Sequence, residues 1–127
     1  METTRVIFVF GSNLAGRHDL GAAKYAREHL GAKYGVGEGP TGMCYALPTK
    51  DEHLKTRSLE EIGVSVRRFL DYAAQSEDVF KVTPVGCGLA GYKVSQIRAL
   101  FMKYPITDNV VFSKEWFQPY RETKRYM

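Results

Sequence analysis

The sequence predicts a single α/β domain over residues 1–127, with a mainly parallel sheet in a three-layer α/β/α arrangement. Apolar runs of strand length alternate with amphipathic helical patterns, and this alternation is typical of sheets with right-handed crossovers. Glycine-rich loops follow two of the predicted strands. Of the 127 residues, 44% are hydrophobic and 25% are charged, so a packed core is expected and wholesale disorder is not.

The first predicted elements are a strand, a loop and a helix. Residues 6–10 form a continuous apolar run, typical of a strand that is buried on both faces. Residues 11–18 predict a loop, Asp19 predicts a helix N-cap, and Gly31 predicts the end of that helix. The apolar positions of this helix are Ala22, Ala23, Ala26 and Leu30.

The middle of the chain predicts a loop, a second strand and a long helix. Four glycines and a proline between residues 34 and 42 indicate a loop. Residues 43–47 predict a strand that Pro48 closes, and a polar loop follows over residues 49–57. Ser58 and Glu61 fit a capping box at the start of a helix over residues 59–75. Its apolar stripe is Leu59, Ile62, Val66, Phe69, Leu70 and Ala73.

The last third predicts a strand over residues 79–85, a glycine-rich loop over 86–92, a helix over 95–104 and a final strand over 109–112. Ile97, Leu100 and Phe101 form the expected buried face of that helix. The sequence therefore predicts four strands alternating with three helices.

Charge and composition exclude several classes of protein. A net charge of +4 favours an anionic ligand but is too small for a dedicated nucleic-acid binder. No apolar run approaches the roughly 20 residues of a membrane span, and no signal peptide is expected. Two cysteines are too few for a disulfide scaffold and suit free thiols in the cytoplasm. The histidines lack metal-ligand spacing, so neither a metal nor a cofactor is expected.

Both glycine-rich loops leave a predicted strand and lead towards a helix. They read Gly-Ser-Asn-Leu-Ala-Gly-Arg-His over residues 11–18 and Gly-Cys-Gly-Leu-Ala-Gly-Tyr over residues 86–92. Ligands of parallel sheets bind beyond the carboxyl ends of strands, and N–H groups at helix starts attract phosphate. The loops therefore predict a nucleotide or diphosphate cleft; tight turns without a ligand are the alternative. Neither loop has a Walker motif, and the second is a poor dinucleotide fingerprint.

The two segments resemble the ligand loops of macro domains. Residues 7–23 (Ile-Phe-Val-Phe-Gly-Ser-Asn through Gly-Ala-Ala) are similar to that family's strand, asparagine loop and small-residue helix start, and residues 82–92 to its second loop. The whole chain resembles short bacterial and phage macro-like proteins. The resemblance implies a macro-domain-like fold that binds ADP-ribose or a related nucleotide, and some members of the family hydrolyse ADP-ribosyl linkages.

The resemblance also implies roles for individual residues. Asn13 would face the distal ribose, Tyr92 would stack near it, and Gly21 would let the helix start approach the pyrophosphate. The implied ligand-binding set is Gly11, Ser12, Asn13, Arg17, Gly21, Ala22, Gly86, Cys87, Gly88, Leu89, Ala90, Gly91 and Tyr92. For Arg17, a role in ligand binding is also expected without the resemblance, because arginine pairs bidentately with phosphate.

Whether the chain is an enzyme stays open at this point. If it is catalytic, Asn13 would orient the ribose, and His18 or Asp19 would be the nearest proton carriers. The positions at which hydrolytic members of the family carry an acidic residue hold Leu20 and Ala90 in this chain. The segment before the first strand also lacks the aspartate that contacts adenine in the family.

Two other functions are compatible with the sequence. Cys87 lies between two glycines near a predicted helix start, where a lowered thiol pKa and His18 as a base would suit a hydrolase of another small substrate. The aromatic and basic tail over residues 114–126 could serve an interaction module for single-stranded nucleic acid or protein. Such tails more often pack on their own domain. The sequence leaves the oligomeric state open.

Overall fold

The computed structural model describes residues 4–117 and has a mixed α/β fold with a five-stranded, mostly parallel sheet and three α-helices. The elements are β1 Val6–Asn13, α1 Gly21–His29, β2 Gly39–Thr41, β3 Cys44–Lys50, α2 Leu59–Ala74, β4 Val79–Val82, α3 Val94–Phe101 and β5 Val110–Phe112, followed by a 3-10 turn over Lys114–Phe117. The predicted α/β class and the mainly parallel sheet are confirmed. Within the described range, no helix has both the length and the apolar character needed to cross a membrane.

The strand order places β1 at the centre of the sheet. The order is β2-β3-β1-β4-β5, with β1 parallel to both β3 and β4, and β4 parallel to β5. Among the strands of residues 4–117, only β2 runs antiparallel, against β3. Because β1, β3 and β4 point the same way, Asn13, Lys50 and Val82 end their strands at the same edge of the sheet. That edge carries the candidate site.

Side chains of β1 contribute to two separate hydrophobic clusters. Ile7 and Val9 belong to the cluster that contains the buried residues of α2 and α3. Phe10 belongs to a second cluster with Ala23 and Ala26 of α1. Successive residues of a strand point to opposite faces, so both faces of β1 are covered, as its apolar run predicted.

The helix α2 forms as its sequence predicts. The Ser58 Oγ accepts a hydrogen bond from the Glu61 N–H at 3.1 Å, and Glu61 Oε1 accepts one from the Ser58 N–H at 2.9 Å. This capping box satisfies backbone donors that the first helical turn leaves free. The buried residues of the predicted stripe are Ile62, Val66, Phe69, Leu70 and Ala73. The predicted buried face of α3 is also confirmed.

In the first half of the chain, the ends of β1 and β3 differ from the prediction, and one strand is additional. Residues 11–13 continue β1 instead of starting a loop, since Ser12 pairs with Pro48 and Asn13 with Lys50. Pro48 lies inside β3, because β2 pairs only with residues 44–46 and leaves the rest of that edge open to a residue without an N–H. Residues 39–41 were predicted as loop but form β2, which is held by its antiparallel pairing with β3.

The residue at the N-cap of α1 is not the one that the sequence predicted. Asp19 is not the N-cap: that position is Leu20, which supplies no side-chain hydrogen bond, and the helix begins at Gly21. No acidic residue lies in the first turn of α1, so its first N–H groups have no side-chain acceptor there. At the other end, Gly31 follows the helix with a φ of +77°, which agrees with its predicted role as a helix stop.

The start of the aromatic tail packs on the domain. Trp116 is buried, and its Nε1 donates a hydrogen bond to the Val82 carbonyl at 2.7 Å. The strand β4 ends at this residue, Val82, instead of at residue 85 as predicted. The rest of the predicted basic aromatic tail, residues 118–126, lies outside the described residues.

Candidate functional site: a glycine-lined cleft

A cleft of about 510 Å³ opens where β1, β3 and β4 end. Its floor is narrow at Gly11: a Cβ placed there would lie 3.4 Å from the Gly86 nitrogen and 3.5 Å from the Thr49 Oγ1. The absence of a side chain at Gly11 therefore leaves the backbone of Gly86 open to the cleft. The three strand ends meet at this point.

Most residues of the predicted site line this cleft. Those that do are Gly11, Ser12, Asn13, Arg17, Asp19, Gly21, Ala22, Gly86, Gly88, Leu89 and Ala90. Asn13, at the end of β1, and Gly88, in the second glycine-rich loop, lie on walls of the same cavity. The nucleotide-cleft hypothesis required this proximity.

A third wall comes from the segment between β3 and α2. Thr49, Lys50 and Leu54 line the cleft, although the binding set predicted from sequence contained none of them. Hydrogen bonds join this segment to the second glycine loop, since the Thr56 Oγ1 donates to the Ala90 carbonyl at 3.0 Å and the Tyr92 hydroxyl donates to the Arg57 carbonyl at 2.7 Å. Thr83, Pro84 and Val85 complete the lining after β4.

The second loop presents free backbone donors to the cleft. Three N–H groups of the loop donate to backbone carbonyls: Cys87 to Pro84, Gly91 to Gly88 and Tyr92 to Gly86. The others have no acceptor among residues 4–117 and belong to Gly86, Gly88, Leu89 and Ala90. All four of these residues line the cleft. Successive free N–H groups in a turn form a concave site for anions.

The first loop is closed by the Asn13 side chain. The Arg17 N–H donates to Asn13 Oδ1 at 2.9 Å, and Asn13 Nδ2 donates to the Arg17 carbonyl at 2.8 Å. Both the oxygen and the nitrogen of the Asn13 amide are therefore engaged by the backbone of Arg17. Asn13 lines the cleft, as predicted, but its amide holds the loop instead of standing free to contact a ribose.

The charged groups of the cleft carry a positive excess. Arg17 Nε donates to Asp19 Oδ2 at 3.2 Å, while Lys50 makes no ion pair with any residue from 4 to 117. Two basic residues thus face one acidic residue. This balance favours a negatively charged ligand.

His18 lies behind the cleft and does not line it. Its ring is fully buried, Nε2 donates to the Val36 carbonyl at 3.0 Å, and the ring packs edge-on against Phe10 at 5.4 Å between centroids. Neighbouring side chains of an extended segment point to opposite sides. Because Arg17 and Asp19 face the cleft, His18 between them faces the interior. It supports the loop from behind and is not placed to exchange protons with a ligand.

Cys87 also lies outside the cleft lining, and the expected lowering of its pKa is wrong. Cys87 lies in the loop that precedes α3, which begins at Val94, and its side chain is half-buried against the cluster of α2 and α3. Its Sγ contacts the Val85 carbonyl at 3.6 Å. Burial raises the pKa of Cys87 to about 11. This environment does not favour Cys87 as a nucleophile.

Gly91 and Tyr92 complete the set of predicted residues that do not line the cleft. The Tyr92 ring packs against the hydrophobic cluster of α2 and α3, and its hydroxyl is bonded to the Arg57 carbonyl. Tyr92 therefore fixes the loop to the third wall and is not placed to stack on a ligand.

Alkylation of Cys87 is expected to be slow at neutral pH. With a pKa of about 11, the reactive thiolate at pH 7.5 is on the order of 100-fold scarcer than in a free cysteine of pKa about 8.5. Iodoacetamide labelling followed by mass spectrometry, on a Cys44→Ala variant that leaves Cys87 as the only thiol, measures the rate. The same variant in urea serves as the control and should label at the rate of a free peptide. Equal rates in the folded and unfolded states would contradict the assignment.

Comparison with known proteins adds no relative: no protein-family model, curated protein or solved structure matches the chain. Across residues 4–117, no group of three or more histidine, cysteine, aspartate or glutamate side chains is placed to hold a metal ion.

Proposed function

We propose that the chain binds an ADP-ribose-type nucleotide in this cleft, with the diphosphate held by backbone N–H groups. The observation that carries the proposal is the set of free N–H donors of Gly86, Gly88, Leu89 and Ala90. They share the cleft with the uncapped start of α1 at Gly21 and Ala22. Backbone donors that lack partners favour an anion. The positive end of the helix dipole adds to the attraction.

The charge and size of the cleft support the same ligand class. Arg17 and Lys50 outnumber Asp19 among the charged lining residues, and both basic types bind phosphate. The volume of about 510 Å³ falls within the range of roughly 300–1,000 Å³ for small-molecule sites. A nucleotide fits this description better than inorganic phosphate, which would fill a small part of the space.

Three exposed leucines support the presence of an apolar group on the ligand. Leu20, Leu54 and Leu89 come from three different loops, and each lines the cleft. Single exposed leucines are ordinary on protein surfaces, but three at one cleft offer apolar contact to a nucleobase. This contact would compensate for the missing aspartate that contacts adenine in macro domains.

The packing supports a three-layer α/β/α, macro-like fold as part of this proposal. The buried residues of α1 belong to one hydrophobic cluster, while those of α2 and α3 belong to the other. Because β1 contributes alternate side chains to both, the sheet would lie between the two helical layers.

Binding without hydrolysis is the preferred form of the proposal. His18 is buried behind the cleft, the Asn13 amide is engaged by the Arg17 backbone, and Asp19 is paired with Arg17. These were the three candidate catalytic groups. Each of the three is engaged by other groups of the protein, which favours binding over hydrolysis.

Isothermal titration calorimetry with ADP-ribose tests the proposal, with Gly11→Ala as the informative variant. Saturable heat is expected from the unmodified protein well below millimolar ligand. The added methyl makes ordinary contacts of 3.4 Å and longer, and Gly11 has no positive φ, so the variant should fold and be as stable or about 0.4–1 kcal/mol more stable. It covers the Gly86 N–H, so affinity should fall by about tenfold, a free-energy change of about 1.4 kcal/mol.

Gly63→Ala provides the matched control. A Cβ at Gly63 in α2 would lie 3.6 Å from the nearest side chain, that of Leu100, and Gly63 does not line the cleft. Its affinity should equal that of the unmodified protein. Absence of heat from the folded, unmodified protein at millimolar ADP-ribose rejects the proposed function. Undiminished binding by Gly11→Ala would show that the ligand does not use this floor.

A further inference from the structure

We propose that Asp19 is a positioning residue that holds Arg17 ready for the phosphate of the ligand. The inference rests on the proposed function and deepens it. An acidic side chain would then support the binding of an anion. Removal of Asp19 is expected to weaken binding, whereas charge repulsion alone would predict that it strengthens binding.

The backbone of Arg17 is fixed from two sides. The Asn13 amide holds both its N–H and its carbonyl, at 2.9 and 2.8 Å. The preceding residue, Gly16, accepts a hydrogen bond from the Gly35 N–H at 2.8 Å and packs so closely on Gly35 that no Cβ would fit. The starting point of the Arg17 side chain is therefore set on the cleft wall before any ligand arrives.

The side chain of Arg17 is directed by Asp19. Arg17 Nε donates to Asp19 Oδ2 at 3.2 Å, and the Tyr34 hydroxyl lies 3.2 and 3.3 Å from the two carboxylate oxygens of Asp19. The Tyr34 ring in turn packs on the buried His18 ring at 5.8 Å. The carboxylate that directs Arg17 is thus tied to the interior of the protein.

This arrangement leaves the outer part of the guanidinium for a ligand. A guanidinium carries five N–H donors, and Asp19 engages only Nε. The Tyr34 hydroxyl also lies beside the guanidinium and, with Asp19, raises the pKa of Arg17. A phosphate would take the two terminal nitrogens in two parallel hydrogen bonds, the geometry for which arginine is suited. Ordering a long side chain opposes binding, and the contact with Asp19 reduces that penalty because it orders Arg17 beforehand.

Simple electrostatics makes the opposite prediction. Asp19 is a negative charge in the wall of an anion site, so its removal should strengthen anion binding. The positioning role requires that its removal weaken binding. Because both side chains are about half exposed, at 55% and 46%, the pair contributes little to stability, and the variant should fold.

The test is a double-mutant cycle on Asp19→Ala and Arg17→Ala, with ADP-ribose and inorganic diphosphate as calorimetric probes. In the unmodified background, Asp19→Ala should weaken the binding of both probes by about tenfold. In the Arg17→Ala background, the same change should leave affinity unchanged or raise it, because only the charge effect remains. Glu60→Gln, which removes an acidic side chain from the first turn of α2 outside the cleft, should have no effect.

The outcomes separate this inference from the proposed function. Equal or tighter binding by Asp19→Ala, with normal binding by the unmodified protein, overturns the positioning role and leaves the proposed function standing. Weakening of the same size in both backgrounds also overturns it, because Asp19 would then act without Arg17. If the unmodified, folded protein binds neither probe, the proposed function fails and this inference fails with it. Circular dichroism of each variant confirms that the compared proteins are folded.

Discussion

Replacing Gly16 with alanine is expected to destabilise the protein by about 3 kcal/mol, with about 1–2 kcal/mol from the left-handed backbone and the remainder from overpacking. Gly16 has a φ of +73°. An added Cβ would lie 2.6 Å from the Gly35 Cα and closer still to the Gly35 carbonyl. These are backbone atoms, so the two loops must separate, and the hydrogen bond from the Gly35 N–H to the Gly16 carbonyl would be lost.

Urea denaturation of Gly16→Ala beside Gly31→Ala isolates the steric part of this effect. Gly31 has a similar φ of +77°, but a Cβ there would have its nearest contact at 3.7 Å. Gly31→Ala should therefore lose only the backbone contribution of about 1–2 kcal/mol. Equal losses at the two positions would show that the contact between Gly16 and Gly35 does not hold the loops together. Where Gly16→Ala folds, it should also bind ADP-ribose more weakly, because it displaces Arg17.

Replacing Phe69 with alanine is expected to cost about 3–5 kcal/mol of stability. Phe69 in α2 is fully buried, and its ring contacts those of Tyr45, Phe80 and Phe101 at centroid distances of 5.0, 5.5 and 6.4 Å. It joins β3, β4 and α3 in one cluster. A domain of this size has a total stability of about 5–15 kcal/mol, so the variant should be near the limit of folding.

Thermal and urea unfolding measure this loss, and Phe69→Leu is the control. Leucine retains most of the apolar volume, so its loss should be clearly smaller. Phe69 does not line the cleft, so Phe69→Leu should keep the affinity for ADP-ribose of the unmodified protein. A loss below about 1 kcal/mol for Phe69→Ala would contradict the packing described here, since burial of a phenylalanine contributes more than that.

The sequence predicted correctly those elements whose structure depends on residues close together in the chain. The capping box at Ser58, the apolar stripe of α2 and the apolar run of β1 each depend on neighbouring residues, and each formed as expected. The two glycine loops were predicted to meet because parallel strands end at one edge, and Asn13 and Gly88 do share one cleft.

The sequence-based predictions were wrong where the local structure depends on residues that are far apart in the sequence. β2 has no strand signature and exists because β3 offers it a partner. The third wall at Thr49 and Lys50 depends on a strand order that places β3 beside β1, which no local pattern encodes. The direction of the His18 ring depends on the Val36 carbonyl, eighteen positions away in the chain. For Cys87, the prediction of a lowered pKa did not foresee that packing buries the thiol, and burial raises its pKa instead.

The segment around Gly35 and Gly37 supports the wall of the cleft from outside, so it can influence which ligand the cleft prefers. The Ser12 hydroxyl donates to the Gly37 carbonyl, and a Cβ at Gly37 would lie 3.0 Å from the backbone of Leu14. Neither glycine lines the cleft, yet both buttress the loop that does. A mutant library confined to cavity residues would therefore overlook positions able to reshape the cavity at a distance, and randomising residues 34–38 should yield altered selectivity without any new contact to the ligand.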